Sequence, residues 1–321
     1  MTTDFNRRHF LQVGAAIAAS AATPVFGQDS KPPLRIIVPL PAGGVADSSV
    51  RFFGEQWTTI TKQTVVIDNR PGGLFQIAMQ QMLTAPADGN TLIHLHTGMS
   101  AAQATMQRFD MTKQLLPLGM LGTTPGAIFV PASSPIQNMQ ELISWIKDNP
   151  GKLSYASTGT GSLEHLLTTV FLRRYSLTGT NVPFKGGPDG MTAVAQNEVQ
   201  MAVSALPLIV PFKGKVRVIA VLTEQRAAMA PNVPTYKEAG IEMQGLEYWG
   251  ALAAPAATPK AIVDSMHKLM VEVMQTPSVM NKFTTMGMAP VTSAPEAMAK
   301  IIAEDVKWMA PLGAELNLKA G

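Results

Sequence analysis

The chain has 321 residues, with 25 lysines and arginines against 22 aspartates and glutamates, a formal charge of +3, and no cysteine. The missing cysteines exclude disulfides, thiol catalysis and cysteine-ligated metals, and the scattered basic residues, with no stripe interleaved with aromatics, give no support for nucleic-acid binding. Its 20 methionines are spread through apolar periodic segments, which reads as core filler.

At the N-terminus, Asn6-Arg7-Arg8-His9-Phe10-Leu11-Gln12 precedes the apolar run Val13–Ala22 and then Pro24-Val25-Phe26-Gly27-Gln28. Paired arginines ahead of Phe-Leu and an apolar stretch too short to span a bilayer read as an export signal of the twin-arginine type over residues 1–27; an ordinary secretory signal is the alternative. Cleavage is expected after Gly27, with Ala19-Ser20-Ala21 as the other cut. Its removal takes away Asp4, Arg7 and Arg8 and leaves the mature chain close to neutral. No second long apolar run follows, so the mature protein is expected to be exported and soluble.

Short apolar runs then alternate with amphipathic stretches. Strands are predicted at Leu34–Val38, Thr64–Ile67 and Thr91–Leu95, with helices near 48–61 and 75–84 between them. The strand Ala127–Val130 leads into a Pro and Ser cluster at 131–135, a predicted domain crossing, and a helix near Met139–Asp148 follows. A second unit takes a strand at Leu153–Ala156, a helix near 163–175, a strand at Asn181–Phe184, a helix near 191–196, and strands near 199–204 and 216–222. It closes near Gly245–Trp249. The chain gives Ala251–Pro255, a helix from Thr258-Pro259 to about Met274, and a last helix near Pro295–Leu312. The alternation predicts an α/β fold with a largely parallel sheet, and two crossings between lobes predict a cleft.

In such folds ligands bind where strands end, so the loops after strands carry the chemistry. Leu34–Val38 runs into Pro39-Leu40-Pro41-Ala42-Gly43-Gly44-Val45-Ala46-Asp47, where two glycines let backbone approach a ligand before a helix begins. The loop has the spacing of neither a nucleotide phosphate loop nor a dinucleotide fold, so a tight turn and a small-anion site are its two readings. Ser157-Thr158-Gly159-Thr160-Gly161-Ser162-Leu163-Glu164-His165 is rich in hydrogen-bond donors at a helix start, where Ser162 also suits an ordinary N-cap. In Phe184-Lys185-Gly186-Gly187, Lys185 reads as a ligand partner or as a solvated turn residue. Arg70, beside Gly72 and Gly73, is expected to hold its own loop through Asp68 or backbone carbonyls, with a guanidinium offered to a ligand as the other reading.

His94 and His96 point to one face of a strand end. With no compact cluster of further ligands they read as polar lining and not as a metal site. Ser157, Ser162 and His165 supply residue types for nucleophilic catalysis, but no Gly-x-Ser-x-Gly elbow accompanies them, and His165 reads as loop scaffold.

In order and spacing these loops resemble the periplasmic binding proteins of tripartite tricarboxylate transporters, the Bug or TctC type. The resemblance runs from Val38-Pro39-Leu40-Pro41-Ala42-Gly43-Gly44 with Asp47 and Arg51, through Asp68-Asn69-Arg70-Pro71-Gly72, Ala87-Asp88-Gly89-Asn90 and Asn149-Pro150-Gly151-Lys152. It continues in the 157–165 loop, Val182-Pro183-Phe184-Lys185-Gly186, Asn232-Val233-Pro234-Thr235 with Glu238-Ala239-Gly240, Trp249, and Pro255 with Thr258-Pro259. It implies a two-lobed α/β periplasmic binding protein fold with a ligand cleft between the lobes, the first lobe from 31–130 and 250–321 and the second from 131–249. It further implies non-covalent capture of a small organic carboxylate, either a di- or tricarboxylate or an aromatic acid. No cofactor, metal or nucleic acid is expected; the protein is expected to be a periplasmic monomer that hands its ligand to the membrane subunits of the transporter.

The expected ligand-facing set is Ala42, Gly43, Gly44, Asp47, Phe75, His96, Ser157, Thr158, Thr160, Gly161, Ser162, Lys185, Gly186 and Ser204. Three departures from the family pattern stand out: Leu74-Phe75 after Gly73, Ser204 where an acid is usual, and Gly250 where an aromatic is usual. They imply a less polar ligand, and make a ligand amine or hydroxyl bound by that missing acid less expected. A periplasmic hydrolase using the 157–165 loop, or a receptor feeding a signalling system, are the alternatives.

Overall fold

The computed structural model describes residues 31–243 and 245–315, so the export signal expected over residues 1–27 lies outside the described residues. The chain divides into Met1–Pro32 and Pro33–Gly321, and every element below belongs to the second unit.

The first half opens with β1 (Leu34–Val38), an unbroken apolar run buried at Leu34, Ile36, Ile37 and Val38, as suits a strand covered on both faces. Helix α1 (Val45–Thr61) lays Val50, Phe53 and Trp57, at helical spacing, against Leu34, Ile36 and Val38. Then come β2 (Val65–Asn69), a 3-10 turn at Gly73–Phe75, α2 (Gln76–Leu83) and β3 (Thr91–His96). Both β2 and β3 pair with β1 in parallel.

Two short helices follow, α3 (Thr97–Met106) and α4 (Met111–Gln114), before the long strand β4 (Leu115–Pro131). The second half runs α5 (Met139–Asp148), β5 (Ser154–Ser157), α6 (Leu163–Arg174), β6 (Thr180–Pro183), α7 (Gly187–Ala195), β7 (Met201–Ala205), a 3-10 turn at Leu206–Phe212, and β8 (Val216–Val221). The chain returns along β9 (Glu247–Pro255) and ends in α8 (Lys260–Met274), α9 (Pro277–Thr285) and α10 (Pro295–Glu315).

The strand order is β2-β1-β3-β9-β4-β7-β5-β6, with β8 also on β4. A largely parallel sheet was the sequence expectation, and the sheet is mixed. Its ends are parallel, but β9 is antiparallel to β3 and β4, and β4 is antiparallel to β7 and β8. The reason lies in β4, whose Pro117, Gly119, Gly122 and Pro125 look like breakers but sit in one bulged strand. Side chains at Gly119 and Gly122 would strike the Ser293 and Ala289 carbonyl oxygens, at 2.5 and 2.6 Å, so the crossing segment before α10 requires glycine there. Strand β4 pairs with β9 over Leu115–Pro125 and with β7 and β8 from Gly126 onward, so the change of partner falls inside one strand.

Each half packs a core on both faces of its strands, and α3 joins both, Met99 and Ala102 in the first and Ala101 and Ala104 in the second. Helix α10 touches both halves: Met298 and Ile302 join the core of the first, and Met309 that of the second. Among the described residues no helix is long and apolar enough to cross a membrane.

Candidate ligand-binding site

A cavity of about 140 Å³ opens where the strands end. That is many times the ~10–15 Å³ a single water needs, so it admits a small organic molecule. One wall is the loop after β1 with the start of α1 (Leu40, Pro41, Gly44–Asp47), joined by Phe75, His94, His96 and Gly98. The other wall is Thr158, Glu164, Gly186–Pro188, Ser204, Ala205 and Leu208, with Thr124, Tyr248, Trp249, Gly250 and Met288 completing the lining.

The first wall is shaped by Asp47. Its Oδ2 accepts from the Gly43 amide and Arg51 Nε, both at 2.9 Å, while its Oδ1 accepts from Asn69 Nδ2 at 2.8 Å. Asn69 Nδ2 also donates to the Leu40 carbonyl at 3.0 Å. Burial pushes the Asp47 carboxyl up, but the bonds from Arg51, Gly43 and Asn69 and the Arg51 charge outweigh it and hold the group below the usual carboxylate range. Asp47 is therefore ionised and satisfied by protein groups, and it holds the loop. Gly43, at φ 91°, has its amide on Asp47, and Gly44 caps α1 without any side-chain hydrogen bond. Val45, Ala46 and Asp47 of the first turn of α1 line the cavity, and free amides at a helix start attract an anion.

Phe75 and its neighbour Leu74 both adopt left-handed backbone, at φ 72° and 49°, a costly pair for non-glycine residues. This geometry brings the Phe75 ring edge-on to His96, with centroids 4.7 Å apart. The His96 ring accepts the Gly98 amide on Nδ1 at 3.2 Å, and its Nε2 is buried without a partner, as is Nδ1 of His94. Burial lowers His94 to about 4, against a smaller upward pull from Asp47, and lowers His96 to about 3, helped by His94. Both rings are neutral at pH 7. Gly250 lies across from His96 in the ladder, and a Cβ there would stand 2.9 Å from His94 Nε2, so the absent aromatic makes room for that imidazole.

On the second wall, Gly186 is the N-cap of α7 and makes no side-chain hydrogen bond, and a Cβ on it would stand 3.2 Å from Pro41 of the first wall. Thr158 Oγ1 donates to Glu164 Oε2 at 2.9 Å. Tyr248 sits opposite Thr124 in the β4–β9 ladder, with its hydroxyl buried and unpartnered. The Trp249 indole turns its Nε1 away to Asp305 of α10 at 2.7 Å.

Of the residues expected to face a ligand, Gly44, Asp47, Phe75, His96, Thr158, Gly186 and Ser204 line this cavity. The others do not. Ala42 and Gly43 are exposed beside it, and so are Thr160 and Lys185. Ser157 lies in a small adjoining recess with Glu164 and Ser204, and its hydroxyl accepts the Gly159 amide at 3.1 Å. Gly161, at φ 83°, donates to His165 Nδ1 at 3.1 Å and accepts from Thr105 Oγ1 at 2.8 Å. Ser162 caps α6 by accepting the His165 amide at 3.3 Å. That loop is thus consumed by its own scaffold, and His165 Nδ1 serves an amide and not a serine hydroxyl. Arg70 bonds Asp68 at 2.8 Å, as expected. Among the described residues no lysine or arginine lines the cavity and no cluster fit for a metal occurs.

Sequence reasoning missed Glu164, Tyr248, Thr124 and Leu208. Tyr248 and Thr124 come together only through the antiparallel register of β4 and β9.

The family model for the tripartite tricarboxylate transporter family receptor, TctC, matches residues 50–318. The chain belongs to this family. A relative from Cupriavidus necator, described as "UPF0065 protein in gbd 5'region", is 32% identical over 312 residues, covering 94% of this chain and 95% of the relative. Among solved structures, R. palustris Rpa4515 with adipate superposes with a TM-score of 0.83 at 27% identity over 88% of this chain and 98% of that one. The periplasmic binding protein BugD gives 0.83 at 25% identity over 90% and 99%. The fold is accordingly the two-lobed α/β fold of periplasmic binding proteins, and the family is one of solute-binding receptors.

Proposed function

We propose that this TctC-family chain is a periplasmic receptor that captures a small organic carboxylate between its two lobes, without chemistry, and delivers it to the membrane subunits of a tripartite tricarboxylate transporter. The single observation that carries this reading is the start of α1. Its N-cap, Gly44, makes no side-chain hydrogen bond, its first-turn residues line the cavity, and no lysine or arginine among the described residues does. Backbone donors of this kind suit a carboxylate. The match to the receptor family, and the adipate bound by one structural neighbour, support the same ligand class.

In this reading residues 1–27 are the export signal, residues 31–130 with 250–321 form one lobe, and residues 131–249 form the other; the protein acts as a monomer. Closure of the lobes brings the α1 wall against the Thr158, Gly186 and Ser204 wall, so the closed state is favoured by contacts that only closure completes. Phe75, Leu208, Trp249 and Met288 give the cavity an apolar body, which fits a longer-chain or aromatic acid better than a short hydroxy-acid.

Calorimetric titration of the mature protein with aliphatic and aromatic carboxylates tests the reading, with recovery of the bound compound afterwards. Binding with the compound returned unchanged is expected. Turnover of the compound, or equal binding of the matching alcohols, overturns it.

A further inference from the structure

The cavity is unusual in its charge. Two carboxylates line it, Asp47 and Glu164, and among the described residues no cation does. Asp47 is matched by Arg51 and two hydrogen-bond donors. Glu164 is not matched: it makes no ion pair among the described residues, and its recorded hydrogen-bond partner is the hydroxyl of Thr158. The imidazoles of His94 and His96 bring no positive charge, because burial keeps both neutral.

Beside Glu164 stands Tyr248, whose buried hydroxyl has no partner. Burial, and then the Glu164 charge, raise the Tyr248 hydroxyl well above its ordinary range, so it stays a protonated phenol. Ser204, Thr158 and Glu164 line both the main cavity and the recess beside it. The second wall therefore offers a carboxylate and hydroxyl oxygens to a ligand, where the first offers α1 amides.

A closing cavity strips water from whatever it encloses. A stripped carboxylate whose partner is a single neutral hydroxyl is costly, and a second carboxylate placed beside it adds repulsion that low dielectric strengthens. A donor group, above all an ammonium, meets the need with charge-assisted hydrogen bonds. Resting on the carboxylate reading above, we propose that the ligand is a carboxylate carrying a hydrogen-bond donor, an ammonium foremost, away from its carboxylate, and that Glu164 selects it. The absence of an acid at Ser204 argues from sequence against a ligand amine; Glu164, in the first turn of α6, supplies that acid from a different element.

The test compares ligands of matched length by calorimetry: 6-aminohexanoate, adipate and hexanoate, and in parallel 4-(aminomethyl)benzoate, terephthalate and 4-methylbenzoate. In at least one series the amino acid is expected to bind about tenfold or more tighter than the diacid. In Glu164→Gln that ratio is expected to collapse toward one. Because the ratio is read within one protein, a general loss of folding in the variant does not imitate it. Diacids binding as tightly as the amino acids, or a preference unchanged in Glu164→Gln, overturns the proposal and leaves the carboxylate reading standing. Failure of every carboxylate to bind overturns the carboxylate reading, and this proposal with it.

Discussion

The Asp47 carboxylate reaches back to accept the Gly43 amide at 2.9 Å, closing the loop that places α1 at the cavity. The same oxygen takes Arg51 Nε, so loop, helix and ion pair form one unit. Replacing Asp47 by Asn removes the charge and leaves Arg51 and Gly43 poorly matched. A loss of about 1–3 kcal/mol in unfolding free energy at neutral pH is expected. The carboxyl titrates below its ordinary value of 3.8 in the folded protein, so its contribution is complete above that pH and is lost as pH falls through the folded value. Urea unfolding of parent and variant should therefore show a gap at neutral pH that narrows in strong acid.

Gly44 separates folding from binding. Its φ of −78° and ψ of 172° suit any residue, and a Cβ there meets nothing within 4 Å. Gly44→Val should fold with stability changed by no more than ~0.5 kcal/mol. The added branches stand before the α1 amides, and affinity for a carboxylate probe should fall by roughly 1–3 kcal/mol. An unaltered affinity removes α1 from the site.

The two neutral histidines make a pH prediction. In the unfolded chain each takes up a proton near 6.5, whereas in the folded protein His94 does so at about 4 and His96 at about 3. The unfolded state binds more protons in that interval, so stability falls as pH drops below 6.5. The slope approaches ~1.4 kcal/mol per pH unit for each ring. Urea unfolding between pH 7 and pH 5 should show it, and a His94→Asn, His96→Asn double variant should show a markedly flatter profile.

Gly250 and His94 compete for the same space. A Cβ at position 250 would lie 2.9 Å from the imidazole, and the buried ring has little room to yield. Gly250→Ala should cost about 1–3 kcal/mol. In a His94→Ala background the cost should largely vanish, and a double-mutant cycle reads that coupling directly.

Local signals were legible where one element depended on its own residues. The limits of β1 and α5 coincide with the sequence expectation, because Leu34–Val38 is continuously apolar and Asn138 with Glu141 marks a helix start: Asn138 Oδ1 accepts the Glu141 amide at 2.9 Å. Helix α3 was missed. Every residue from Thr97 to Thr105 is buried, so no apolar stripe distinguishes a face. Strand β4 was read only at its end, since Pro117, Gly119 and Gly122 act as breakers unless the segment over them is known.

The site divides along the same line. Gly44, Phe75, His96 and Gly186 follow strands or start helices, and position along the chain was enough to select them. Lys185 was selected for its charge, yet its side chain stands in solvent while the neighbouring Gly186 lines the wall. Glu164 was hidden for the opposite reason, because an acid in the first turn of a helix looks like ordinary dipole compensation. Its meaning depends on Tyr248, which arrives from a strand far along the chain.

Strands β4 and β9, which carry the backbone from the first half's sheet toward the second, are paired with each other over Leu115–Pro125. Rotation of one half against the other is then a change in the twist of a ladder whose amides and carbonyls stay bonded throughout. In the proposed receptor, closure of the lobes would be taken up as twist in that ribbon, with the bulges beside Gly119 and Gly122 as its weakest points. The work of that closure would then depend on the stiffness of the ribbon, and Gly119 and Gly122, which do not line the cavity, would tune affinity from outside it.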